Sequence, residues 1–350
     1  MVKKVDNSSI KLAASLISLV IVIYIMNQLQ EILVPLIFAG IFSVLLLPLC
    51  SFLERIRLPR VLAIVVTIVL AIAVVAAVIA LVVGQIRSLD EVWPMIATKS
   101  GDWLKSVQDF ATSQMHIKES ELLGEIRKYL SDALKSSGSL ISGTVSSTTG
   151  FLANLTLIPL YTFLMLLYRD FFLEFLYKLF SKLSQHRIDL VVSKIKSVLQ
   201  SYMSGLMLVI LIIGTLNTIA LLLLGIPHGV FFGFFAAVLV LIPYIGIAIG
   251  SLLPILMALI MKDSIWYAVG VAASFAAIQF LEGNFITPYV VGSKVSINSF
   301  AAIVSLLLFS SLWGMSGLVL ALPLTAIIKV LFDSTSKLKP WGYLLGESED

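Results

Sequence analysis

Long apolar runs separated by short polar stretches set the pattern of this chain, and they cover residues 10–26, 32–49, 61–83, 151–167, 206–224 and 265–281. About 20 apolar residues of helix cross the hydrocarbon of a bilayer, so each run predicts a transmembrane helix and none shows the alternation of a barrel strand. Two further runs, 230–261 and 300–332, are too long for one span and are interrupted near their middles. Pro243-Tyr244-Ile245-Gly246 breaks the first and Trp313-Gly314-Met315-Ser316-Gly317 breaks the second. Irregular backbone at membrane depth needs protein or a water-filled cavity to satisfy its N–H and C=O groups, so paired broken segments point to a transport pathway. The fold class predicted is an all-α polytopic membrane protein of about eight transmembrane segments, with two broken or re-entrant segments in the C-terminal half.

The polar stretches give orientation. Arg55, Arg57 and Arg60 lie between the second and third runs, and Lys3, Lys4 and Lys11 precede or open the first; the positive-inside bias puts both groups in the cytoplasm, two spans apart. Residues 1–83 then hold segments one to three, and 84–150 form an extracytoplasmic region with seven Lys and Arg against eight Asp and Glu. Leu122, Ile126, Tyr129, Leu130 and Ala133 recur there at helical spacing, before a Ser-rich linker. Residues 151–168 return as the fourth segment, and 169–204 carry six basic against three acidic residues, as expected of cytoplasmic amphipathic helices. Phe171, Phe172, Phe175, Leu176, Leu179 and Phe180 share one face, suited either to the interface plane or to packing beneath the bundle. Residues 205–333 are the transmembrane core, and 334–350, with Lys337 and Lys339, a cytoplasmic tail. Full crossing and re-entry of the two broken segments leave the C-terminus on the same side. Only the side of the Lys262 and Lys294 loops distinguishes them. Gly246 with Pro254, and Gly314 and Gly317 with Pro323, also suggest a weak internal repeat.

Composition excludes a soluble domain: 59% of the 350 residues are hydrophobic and 13% charged, with a mean hydropathy of +1.05, where soluble chains are about 45–50% apolar. The net charge of +4 sits at the flanks of apolar runs, which is orientation information and not a nucleic-acid footprint. Cys50 is the single cysteine, so no disulfide framework or multi-cysteine metal site is expected. No cleavage pattern follows the first apolar run, which is read as an uncleaved span. No phosphate loop, zinc motif or cofactor signature occurs, and no metal or cofactor is expected. Gly314-Met315-Ser316-Gly317 matches the Gly-x-Ser-Gly of rhomboid-type proteases, but His116, His186 and His228 all lie away from mid-span, and an unactivated serine is a poor nucleophile. No enzymatic activity is expected. The glycines are better explained by close packing or a flexible turn.

Polar side chains inside the spans carry the remaining signal. A charge at the bilayer centre costs about 2.5–3.5 kcal/mol on insertion scales, so Glu282 needs a partner, a purpose or a place at the interface. It stands with Gln279 and Asn284 beside Gly283 and Pro288, a group able to bind a cation, a proton or a polar solute. Asn217, in the middle of the 206–224 run, either bonds between helices or lines a pathway. Tyr244 offers its hydroxyl to a pore or anchors at an interface.

Three motifs together carry a family resemblance: Ile242-Pro243-Tyr244-Ile245-Gly246 with Gly250 and Pro254; Gln279-Phe280-Leu281-Glu282-Gly283-Asn284 through Pro288 and Gly292; and Leu312-Trp313-Gly314-Met315-Ser316-Gly317 with Pro323. In order and spacing the chain resembles the autoinducer-2 exporter family of bacterial membrane proteins. The resemblance implies a permease without an ATPase domain, in the inner membrane with both termini cytoplasmic. It also implies export of a small solute like autoinducer-2, or sodium or lithium exchange for protons. On it, Glu282 with Gln279, Asn284 and Asn217 forms the coupling site. Pro243, Tyr244, Gly246, Gly250, Pro254, Pro288, Gly292, Gly314, Gly317 and Pro323 form the pathway and its hinges. The expected partners are the lipid bilayer, a small polar solute and H+ or Na+, with a homo-oligomer compatible with the amphipathic surface. A membrane scaffold that transports nothing is the alternative from another class.

Overall fold

The computed structural model of the protein describes residues 7–88, 148–240, 245–287, 289–290 and 297–346. Pro243, Tyr244, Pro288 and Gly292 lie outside these, as does the amphipathic stretch expected at 122–134. Every regular element among the described residues is helical: α1 (Asn7–Gln28), α2 (Gln30–Arg55), α3 (Arg60–Ser88), α4 (Thr148–Leu167), α5 (Arg169–Leu179), α6 (Gln185–Leu223), α7 (Gly229–Leu239), α8 (Ile245–Met261), α9 (Ile265–Leu281), a π-helical turn (Glu282–Ile286), α10 (Ser299–Ser334) and α11 (Lys339–Leu345). Five helices, α2, α3, α6, α10 and α9 extended by its π turn, are long and apolar enough to cross a membrane, and α4 with α5 makes a sixth if that bent pair is one span.

The first group of helices closes around small and branched side chains. Cys50 of α2, Ala63, Ile64 and Ile68 of α3 and Leu166 of α4 are buried together. A polar clasp ties their ends, with Arg60 Nη1 2.7 Å from Asp170 and Arg169 Nη2 2.7 Å from Glu54. Its hydrogen bond to the Glu54 carboxylate holds the Arg169 guanidinium above its ordinary pKa. At this clasp the chain bends by 69° into α5, which has no buried residue. Phe171, Phe172, Phe175 and Leu179 are all exposed. Its apolar face is therefore not packed against the other described helices.

α6 departs from the expected division at residues 204 and 205. It runs unbroken for 39 residues, about 58 Å, roughly twice the hydrocarbon thickness. Ser184 caps its start by accepting the Arg187 N–H, and no proline interrupts it before Gly225 (φ +63) ends it. The amphipathic segment and the fifth apolar run are one rod.

Both broken segments are helical hairpins. In the first, a Cβ on Gly246 would lie 1.7 Å from the Leu239 carbonyl oxygen, and one on Gly250 would lie 2.7 Å from Ala236 Cβ. These pairs count in opposite directions, so α7 and α8 run antiparallel and in contact, as small residues permit. Eleven residues of α7 reach only about 16 Å, too short to cross. The open end returns to the loop after α6, where Lys262 Nζ is 2.9 Å from the position of a Gly225 Cβ.

The second hairpin is hidden inside α10, whose 36 residues would measure about 54 Å if straight. Trp313 (φ −132, ψ 19) and Gly314 (φ 59, ψ −135) reverse it. A Cβ on Gly317 would then lie 1.8 Å from the carbonyl oxygen of Phe309, more than two turns back. Both ends meet the short helix α11: Asn298 donates to Leu344, Leu345 and Gly346 carbonyls at 2.8, 3.0 and 2.6 Å, while Gly342 packs against Asp333. The tip is tied to the end of α1, with Trp313 Nε1 donating to Met26 O at 3.0 Å and Asn27 Nδ2 to Leu312 O at 2.8 Å.

The sequence left crossing and re-entry open. The contacts select reversal in both segments, from opposite ends of α6. The first hairpin opens beside Gly225 at the end of α6, and the second opens where Arg187 Nη2 donates to Ser334 O at 3.1 Å, at its beginning. They meet in one apolar cluster holding Ala237 and Val240 of the first, Leu322 and Ala326 of the second, and Ile213 of α6.

Candidate functional site

Glu282 stands beside that meeting point. Ile278 and Ile286, on either side of it, pack against the same cluster, and the carboxylate is only 7% exposed. Gln279 Nε2 donates to its Oε2 at 2.7 Å, and the Thr287 hydroxyl donates to its Oε1. Gln279 is legible from sequence because it lies one helical turn back. Thr287 was missed for a physical reason: residues five apart do not face each other on an α-helix, and only the π-helical turn at Glu282–Ile286 brings the hydroxyl round. The bulge sits where Gly283 and the following residues weaken regular helix, the kind of site π turns mark.

Asn217 joins this group through space. It is 3% exposed on α6, and its Oδ1 has no hydrogen-bond partner among the described residues. It lines a small cavity of about 10 Å³ with Gln279, Phe275 and Ile278 of α9 and with Ala236 and Val240 of the first hairpin. Room for one water or one bare ion is all this offers. A buried acceptor left unpaired costs about 1–3 kcal/mol, so the orphan oxygen is a notable feature of the core. Asn284 is turned away: it is exposed, and its Nδ2 donates to Phe280 O at 2.8 Å. The structure thus groups Asn217, Gln279, Glu282 and Thr287 and sets Asn284 apart.

The expected hinge residues take several positions. Gly246, Gly250 and Gly317 are points of backbone contact, with no room for a side chain. Gly314 is the turn itself, in a conformation nearly closed to other residues. Pro254 and Pro323 are buried within α8 and the second arm of α10.

Broken helices entering from two directions and closing on a polar site are the architecture of polytopic membrane transporters. Sequence comparison leads to the same class and narrows it. The chain belongs to the AI-2E transporter family, whose profile, AI-2E family transporter, matches residues 14–337. Among its relatives, the Bacillus subtilis (strain 168) protein named "Putative transport protein YrrI" is 28% identical over 309 residues, 86% of each chain. A second from that organism, YueF, named in the same terms, is 25% identical over 314 residues, 85% of this chain and 82% of its own. The Escherichia coli (strain K12) protein named AI-2 transport protein TqsA is 24% identical over 334 residues, 94% of this chain and 93% of its own.

Proposed function

We propose that this protein is a secondary permease of the bacterial inner membrane, with both termini cytoplasmic, that exports a small polar solute of the autoinducer-2 kind. Coupling to an ion or proton gradient resides in Glu282. The observation that supports this best is the convergence of two oppositely entering hairpins on a buried carboxylate. A hairpin that moves relative to α6 and α9 changes the surroundings of Glu282, so its protonation or ion occupancy and the opening of the pathway are linked. The 10 Å³ space beside Asn217 is far below the roughly 300–1,000 Å³ of ordinary ligand pockets. The solute therefore passes only when the hairpins part at the cluster of Ala237, Val240, Leu322 and Ala326, while Gly246, Gly250 and Gly317 keep the two arms of each hairpin together. That same small cavity favours a second reading, a monovalent cation/proton antiporter, since it suits an ion and no larger solute.

The test is Glu282→Gln in reconstituted vesicles, with folding checked by gel filtration and thermal unfolding. Gradient-driven flux is lost while folding is kept. Coupled flux at the wild-type rate in that variant rules the assignment out. Proton movement evoked by sodium or lithium, with no solute flux, selects the antiporter.

A further inference from the structure

An open groove lies away from the hairpins. It has a volume of about 960 Å³ and runs between the end of α2, Leu173 of α5 and one face of α6 from Asp189 to Met207. Its lining changes character along α6. The stretch near the helix start offers Ser193, Lys196 and Ser197, whereas toward the other end Met203 and Met207 join Leu45 of α2 in the lining, alongside Ser201 and Ser204. That change follows the membrane, because the apolar window of α6 begins near residue 206 and the apolar run of α2 ends near residue 49. The groove therefore straddles the boundary between headgroups and acyl chains.

Two contacts show that its polar half is partly committed. Gln200 Nε2 donates to Val44 O at 3.1 Å and joins the two walls. Asp189 accepts the Tyr177 hydroxyl of α5, so the acid of the groove is engaged from its rim. Lys196 is half-buried and has no carboxylate partner within 4.0 Å among the described residues. A half-buried ammonium with no carboxylate in contact, in one groove with Ser193 and Ser197 and with Met203, Met207 and Leu45, suits a phosphodiester headgroup carrying an acyl chain. The neighbouring helix α5, with its exposed phenylalanines, fits the same membrane surface.

We infer that the groove between α2, α5 and α6 binds one anionic phospholipid, its phosphate on Lys196, Ser193 and Ser197 and its acyl chain along Met203, Met207 and Leu45. Occupancy wedges the interfacial helix α5 against α6, so lipid composition bears on the stability of this side of the bundle.

The experiment uses the full-length protein purified in detergent. Native mass spectrometry measures retained phosphatidylglycerol or phosphatidylcholine, and parallel samples receive glycerol phosphate as a competitor. Wild type retains one phosphatidylglycerol per chain in preference to phosphatidylcholine, and glycerol phosphate does not displace it. Lys196→Gln weakens retention about fivefold, the loss expected for one basic residue at the membrane surface. Ser197→Trp, which fills the groove without touching the charge, abolishes it, and Lys178→Gln on α5 changes nothing. Equal retention by Lys196→Gln, equal binding of phosphatidylcholine, or displacement by glycerol phosphate alone would each overturn the assignment. So would a cysteine at Ser197 that cross-links to a second copy while excluding lipid.

Discussion

Gly317→Ala probes the reversal of α10 directly. The added methyl would begin 1.8 Å from the Phe309 carbonyl oxygen and 2.5 Å from its carbon, and ordinary contact starts at 3.4 Å. Both opposing atoms are backbone, so no rotamer change relieves the overlap and the two arms must part. Overpacking of this kind costs about 1–3 kcal/mol, and parting the arms also strains the Trp313 bond to Met26, so about 3 kcal/mol of destabilisation is expected. For a chain of this size that lowers the unfolding midpoint by roughly 3–5 °C. Gly283→Ala is the internal control: nothing among the described residues lies within 4 Å of its Cβ, and replacing a helical glycine by alanine gains about 0.5–1 kcal/mol. Cys50 is fully buried, so a thiol-reactive fluorophore added during heating reports unfolding through a single site. A Gly317→Ala midpoint equal to wild type, or a Gly283→Ala loss as large as that of Gly317→Ala, would refute the close approach of the arms.

Two further outcomes follow from the hairpins. With Cys50 replaced by serine, Asp263→Cys and Lys337→Cys are expected to react with a membrane-impermeant maleimide from opposite sides of the membrane, Lys337 from the cytoplasm; labelling of both from one side contradicts opposed hairpins. Asn298→Ala removes the acceptor for Ala301 N–H and the donors to Leu344 and Gly346, which costs about 1 kcal/mol for the cap and speeds hydrogen exchange in α11. Asn298→Asp keeps the acceptor, so it should retain the cap energy yet still release α11; unchanged exchange in both variants would show that α11 does not depend on these bonds.

Much of this molecule is written locally. Hydropathy alone places α1 to α4 and α9, because about 20 consecutive apolar residues have few alternatives to a membrane helix. Glycine and proline mark where α10 breaks, since Gly314 supplies a backbone conformation that other residues resist. Glu282 with Gln279 is likewise legible, being a carboxylate and an amide one helical turn apart within an apolar stretch.

What the chain alone left open were the matters decided by residues far apart in sequence. A glycine-containing break permits a kink, a span or a reversal, and the choice rests on Gly246 meeting Leu239, on Gly317 meeting Phe309, and on α11 holding both ends of α10 together. The same holds for the polar cluster. Thr287 reaches Glu282 only because the helix widens into a π turn, and Asn217 reaches Gln279 only because α6, α9 and the first hairpin share a cavity. Local sequence determined which segments are helical and where they stop; tertiary contact determined their direction and their neighbours, because those energies arise only when distant backbones touch.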